Sequence, residues 1–183
     1  MMHRLEHDWF SKPLPENVEI GDRSWLYSSF AFLHYDSKAP VGVRLGRDTG
    51  VYHGTFFDLG REARVEVGDY CSVVGAIFST NGHVSIGDYT LIAHEVLIAD
   101  SFWMTPRSVG TALPLNRACT GAVNEIHIGK NVWIGARAIV TGNVRIGDNS
   151  VIGAGTLVTQ DVPENVICAG NPMRIVKVFS SNV

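Results

Sequence analysis

From Ile128 onward the chain repeats a six-residue phrase: IGKNVW, IGARAI, VTGNVR, IGDNSV, IGAGTL, VTQDVP. An aliphatic residue opens each phrase, at Ile128, Ile134, Val140, Ile146, Ile152 and Val158. Two positions before each stands a smaller or β-branched residue: Ile126, Val132, Ala138, Val144, Ser150 and Thr156. The same spacing runs upstream through Val84/Ile86, Thr90/Ile92 and Val96/Ile98, through Val65/Val67 and Cys71/Val73, and through Val43/Leu45, Thr49/Val51 and Thr55/Phe57. It begins at Val18/Ile20, Ser24/Leu26 and Phe30/Phe32.

A period of six matches neither an α-helix nor a simple strand. It matches a short strand followed by a turn, three of which close a triangular coil. Residues i and i−2 of each strand then share a face, which is the interior. Residues 18–160 make about six coils of eighteen residues. The expected fold is therefore all-β, a parallel β-helix of hexapeptide repeats in which each coil pairs only with its neighbours. A β-sandwich also has short alternating strands, but it places turn signals every 8–12 residues rather than a strict six. The glycine that follows many of the aliphatic residues is expected to supply backbone freedom for a tight corner. Around Val74–Ser85 either Phe78 or Ser79 can take the inward position.

The period breaks at one corner only. Thirteen residues separate the inward Phe32 from Leu45, ten separate Phe57 from Val67, and about seven separate Ser79 from Ile86. After Ile98 the pattern is lost until about Ala122, so the longest insertion, 99–121, leaves from the same corner. Insertions at a repeated corner mark the functional edge of a repeat protein. The expected organisation is an N-terminal extension over 1–17, the β-helix with its extruded loop over 18–160, and a C-terminal tail over 161–183. Phe102, Trp103 and Met104 in the loop are expected to pack on a neighbouring subunit or a ligand, with Asp100 and Trp103 as candidate substrate-binding residues.

Composition narrows the function. A net charge of −3 without a basic block argues against nucleic acid. No apolar run reaches the roughly 18 residues of a membrane span, and the first residues lack the apolar core of a signal peptide. Three scattered cysteines, Cys71, Cys119 and Cys168, fit neither a disulfide framework nor a Cys-based zinc site and suit a reducing cytoplasm.

Of the seven histidines, His53 and His94 each lie two residues past an inward residue, at a corner. His94 is followed by Glu95 on the coil that enters the long loop. A histidine there can take a proton from an attacking hydroxyl or amine, and an adjacent carboxylate can hold its ring.

The segment Ile128–Lys177, with NVWIGA, VIGAG and the ending AGNPMRIVK, resembles the C-terminal coils of the hexapeptide-repeat acetyltransferases that act on sugars and xenobiotics. The resemblance implies a left-handed hand for the coil, a homotrimer, and acetyl-CoA as acyl donor at sites between subunits. It places Ala136 and Ala154 along the pantetheine arm, and Thr159, Gln160, Arg174 and Lys177 toward the nucleotide end. Gln160 departs from the family's usual lysine. The family's catalytic histidine falls near Trp103, where this chain has none. IAHE, however, resembles the turn of the lipid A acyltransferases and amino-sugar N-acetyltransferases, whose general base matches His94.

The expected activity is direct transfer of an acyl group from CoA to a hydroxyl or amine of a small-molecule acceptor, with no metal. Two other readings stay open. One is a non-catalytic trimeric scaffold. The other is a zinc enzyme like the γ-carbonic anhydrases, against which stands the eleven-residue spacing of His83 and His94.

Overall fold

The computed structural model describes residues 5–10, 12–100 and 124–179. Its three parallel sheets are the three walls of a triangular solenoid. The first stacks Val18–Ile20, Val43–Leu45, Arg64–Val67, His83–Ile86, Glu125–Ile128 and Val144–Ile146. The second stacks Trp25–Leu26, Gly50–Val51, Ser72–Val73, Leu91–Ile92, Trp133–Ile134 and Val151–Ile152, and continues with Val166–Ala169. The third stacks Phe56–Leu59, Ile77–Thr80, Leu97–Ala99, Ile139–Thr141 and Leu157–Val158. Within the C-terminal 161–183, Arg174–Val178 turns back antiparallel on Val166–Ala169.

The inward columns are those of the six-residue period. Ile128, Ile134, Val140, Ile146, Ile152 and Val158 are all fully buried. Each such side chain stabilises the fold by about 1.5–3 kcal/mol relative to leaving it in water. On the third wall Phe32, Phe57 and Phe78 stack ring on ring, with centroids 5.2 and 5.1 Å apart and planes within 13° and 7°. Phe78, not Ser79, therefore takes the inward position.

Small polar residues in the interior tie coil to coil. Thr49 Oγ1 donates to Gly68 O at 2.7 Å and accepts from Cys71 N at 3.1 Å. Thr90 does the same with Gly129 O and Val132 N, and Ser150 with Pro163 O and Val166 N. A buried hydroxyl is tolerated because its hydrogen bonds are made.

Two features differ from the sequence reading. The first coil has no strand on the third wall. Ser29–Phe32 is instead a single 3-10 turn, because Ser28 Oγ accepts from Phe30 N and the Asp8 carboxylate takes Ser28 Oγ and Ser29 N. Phe30 is thereby half-buried while Phe32 stays in the core. The glycine after the aliphatic residue also acts differently from the expectation. A Cβ on Gly46 would lie 2.5 Å from the carbonyl carbon of Gly68, and one on Gly21 as close to that of Gly46. Glycine stands there because the coils approach too closely for a side chain. The left-handed conformation falls two residues later, on Arg23, Asp48, Tyr70, Tyr89, Asn131 and Asn149, and recurs at Asn165, which follows Pro163 instead of a glycine. Asparagine tolerates that conformation, and its amides form a ladder: Asn131 Nδ2 donates to Asn149 Oδ1 at 2.9 Å, and Asn149 Nδ2 to Asn165 Oδ1 at 3.1 Å.

The two ends of the long insertion stand side by side: Asn124 Nδ2 donates to Asp100 O at 3.3 Å. The residues between them, including Phe102, Trp103 and Met104, lie outside the described residues.

Candidate active site

The candidate chemistry lies at the corner between the second and third walls, and not at the insertion-bearing corner between the third and first walls that the sequence spacing marked. On the fourth coil Ile92 points inward, and the chain then turns through His94 and Glu95. The fifth coil presents Ala136 and Arg137 above them, and the sixth presents Ala154 and Gly155. These six residues line an open cleft of about 450 Å³. Its floor is backbone held in register: Arg137 N donates to His94 O, and Gly155 N to Ala136 O, each at 2.9 Å. Small residues on the upper coils keep the cleft open beside the exposed His94 ring. Among the described residues that exposed ring makes no hydrogen bond.

His94, Ala136 and Ala154, singled out on separate grounds in the sequence, thus share one cleft. Glu95 is beside them, but its carboxylate does not hold the imidazole. Glu95 Oε2 accepts from Arg137 Nε at 2.7 Å. That hydrogen bond, with the guanidinium charge, holds the carboxyl below its ordinary range, and His94 adds the smallest contribution. The reason lies in the backbone. Glu95 and Arg137 occupy the same left-handed position on successive coils, at φ 58° and 61°. Their side chains therefore project along the same edge and meet. Arg137 was missed in the sequence; the signal was its place in the repeat, the same as that of Glu95.

Asp100 is buried, and its Oδ2 accepts from the backbone N–H of Asn81 and of Gly82, each at 2.9 Å. It secures the corner of the preceding coil. Thr159 and Gln160 are exposed beyond Leu157–Val158, at a different corner from the cleft. Arg174 and Lys177 are exposed on the antiparallel strand, with Arg174 opposite Ala169, one coil beyond Gly153. The candidate Trp103 lies outside the described residues.

Cys71 is no alternative nucleophile. Burial pushes its thiol up to about 11, and Cys168 is raised by burial too. A thiolate is the reactive form, so neither is reactive near neutrality. Among the described residues no cluster of three or more His, Cys, Asp or Glu could hold a metal ion, and no helix is long and apolar enough to cross a membrane.

A triangular parallel solenoid of hexapeptide phrases is the architecture of the left-handed β-helix transferases. Residues 125–160 match the family described as bacterial transferase hexapeptide, six repeats, and the chain belongs to the hexapeptide-repeat transferase family. It is 38% identical over 129 residues to the galactoside O-acetyltransferase of Escherichia coli, a match covering 67% of this chain and 64% of that protein. Among solved structures it resembles a hexapeptide transferase family protein from Anaplasma phagocytophilum, with a TM-score of 0.62 at 17% identity over 90% of this chain and 80% of that one. A galactoside acetyltransferase in complex with coenzyme A matches at 28% identity with a TM-score of 0.50, over 88% of this chain and 65% of the other.

Proposed function

We propose that the chain is a CoA-dependent acetyltransferase that works as a cytoplasmic homotrimer and acetylates a hydroxyl or amine of a sugar or other small molecule. The observation that carries this reading is the convergence of His94, Ala136 and Ala154 in one open cleft. The 28%-identical relative in complex with coenzyme A supports the choice of donor.

In this mechanism the pantetheine arm lies along the shelf of Ala136 and Ala154, which is free of bulky side chains. Arg174 and Lys177 supply positive charge toward the nucleotide phosphates. The acceptor hydroxyl or amine attacks the thioester carbon while one nitrogen of His94 takes its proton. Backbone amides of the cleft stabilise the oxyanion of the tetrahedral intermediate. The intermediate collapses, the carbon–sulfur bond breaks, and the imidazolium returns the proton to the departing CoA sulfur. No covalent enzyme intermediate forms.

Isothermal titration of the intact protein with acetyl-CoA tests the donor, and light scattering tests the trimer. His94→Ala should lower turnover by about 10²–10⁴-fold, the usual contribution of a general base, with CoA affinity unchanged. No binding at millimolar acetyl-CoA, or full turnover in His94→Ala, overturns the assignment.

A further inference from the structure

Where the N-terminal extension meets the first two coils, the structure holds a cavity of about 300 Å³. It shares no residue with the His94 cleft. Its wall is almost entirely apolar, and five aromatic residues, Trp9, Tyr27, Phe30, Tyr52 and Phe56, make most of it, with the exposed His53 beside them. The volume falls at the lower end of the ~300–1,000 Å³ of small-molecule sites.

These rings do not stack as those of the interior do. Phe32, Phe57 and Phe78 lie within 13° and 7° of parallel, each ring covering the next. Around the cavity Trp9 and Phe30 are tilted by 43°, Phe30 and Phe56 by 67°, and Tyr27 and His53 by 59°. Rings at such angles bound a space from several sides instead of filling it. The walls are also held in place. Tyr52 lies over Gly50, where a Cβ would fall 2.6 Å from two of its ring carbons. Trp9 is carried by the extension, which Asp8 anchors: its carboxylate accepts from Ser28 Oγ and Ser29 N, each at 2.7 Å, and from Phe10 N at 2.9 Å.

The cavity has an anion behind its wall and no cation of its own. Ser28 lines it, and the Asp8 carboxylate stands one hydrogen bond behind Ser28. Burial pushes that carboxyl up, but hydrogen bonds from Ser29, Phe10 and Ser28 outweigh it and bring it down to about 2, so it is ionised near neutrality. Among the described residues no lysine or arginine lines the cavity. Lys12 Nζ stands 5.1 Å from the centre of Phe10, a ring in edge contact with Phe30 but outside the lining, so this aromatic cluster already takes one cation.

An aromatic ring carries negative potential on its faces, and a cation among several such rings, freed of water, is bound more tightly than an uncharged group of the same shape. A primary ammonium is strongly hydrated and loses its N–H bonds to water inside a wall with few acceptors. A quaternary ammonium has no N–H to satisfy. We infer that this aromatic cavity is a binding site for a quaternary ammonium group, separate from the acyl-transfer cleft. The methyl groups fill the apolar walls, and the charge is met by the rings and by the Asp8 carboxylate. The inference stands apart from the acetyl-transfer reading, since no residue of that cleft takes part in it.

The probes are choline and its uncharged isostere, in which a quaternary carbon replaces the nitrogen. Calorimetric titration of the full chain with each gives a ratio of affinities. Choline should bind about threefold to thirtyfold more tightly, the range of cation–π attraction from exposed to desolvated sites. Tyr52→Phe keeps the ring and should keep the ratio, whereas Tyr52→Leu keeps an apolar wall and should lower the ratio toward one. Binding of the isostere by Tyr52→Leu reports that the wall has kept its shape. Asp8→Asn should weaken choline more than the isostere, and Trp133→Ala, on the second wall of the fifth coil, should change neither. Equal binding of the two probes, no binding of choline, or a ratio that survives Tyr52→Leu overturns the inference. So does choline affinity that falls as protein concentration rises, because a second copy of the chain is then the occupant. Acetyl-CoA titrated in parallel tests the transferase reading alone.

Discussion

Replacing Phe57 with alanine removes the middle ring of the stack that runs up the third wall. Phe57 is 1% exposed and lies between Phe32 and Phe78, each within 5.2 Å and nearly parallel to it. Truncating a buried phenylalanine to alanine costs about 3–5 kcal/mol through lost transfer energy and the cavity left behind. Aromatic pairs add about 0.5–1.5 kcal/mol beyond their area, and this ring has a partner on both faces. The site also cannot collapse, because strands on either side fix the coil spacing. The expected loss therefore lies at the upper end, about 4–5 kcal/mol, a large part of the 5–15 kcal/mol that holds an ordinary domain together. The assay is denaturant unfolding followed by far-ultraviolet circular dichroism, at matched protein concentration because assembly shifts the midpoint. Phe56→Ala is the control, since Phe56 lies on the same strand but faces outward and is only half-buried. Coils contact only their neighbours, so the folded Phe57→Ala protein should bind acetyl-CoA at the fourth to sixth coils as the parent does. A loss below about 1.5 kcal/mol, or one equal to that of Phe56→Ala, would refute the claim that the inward stack carries the stability of this wall.

Two further outcomes are expected. Glu95→Gln should leave turnover close to that of the parent and far above that of His94→Ala, because the carboxylate engages Arg137 and not the imidazole; a loss matching that of His94→Ala in steady-state kinetics would show that Glu95 does orient the base. Asp8 accepts from Ser28 Oγ, Ser29 N and Phe10 N, and although burial pushes its carboxyl up, hydrogen bonds from Ser29, Phe10 and Ser28 outweigh this and lower it from 3.8 to about 2. The folded-state value is the depressed one, so the stabilisation is complete above about pH 4 and is lost as pH falls toward 2. It amounts to on the order of 1 kcal/mol once solvent screening is allowed for. The thermal midpoint of Asp8→Asn should therefore lie below that of the parent at pH 6 and converge with it near pH 2, and parallel curves across that range would contradict the assignment.

Much of this molecule was legible in its sequence because the fold is periodic. A six-residue repeat forces the same residue onto the same wall at every coil, so the inward columns, the three sheets and the corner that carries the insertions follow from spacing alone. His94, Ala136 and Ala154 could be brought to one edge by the same count. What the period could not supply depends on contacts between coils. Phe78 and Ser79 fit the spacing equally well, and only stacking on Phe57 selects the phenylalanine. Glycine after many of the aliphatic residues reads as a turn signal, yet at Gly21 and Gly46 its cause is the backbone of the next coil 2.5 Å from where a Cβ would be. Glu95 adjoins His94 along the chain, but its carboxylate meets Arg137, forty-two residues away and one coil above. Thr55 likewise falls in the inward column by spacing, and only the structure shows that its buried hydroxyl has no partner among the described residues. Sequence spacing sets which wall a residue belongs to, whereas what it touches is set by the coil above and the coil below, which the chain reaches only after a full turn.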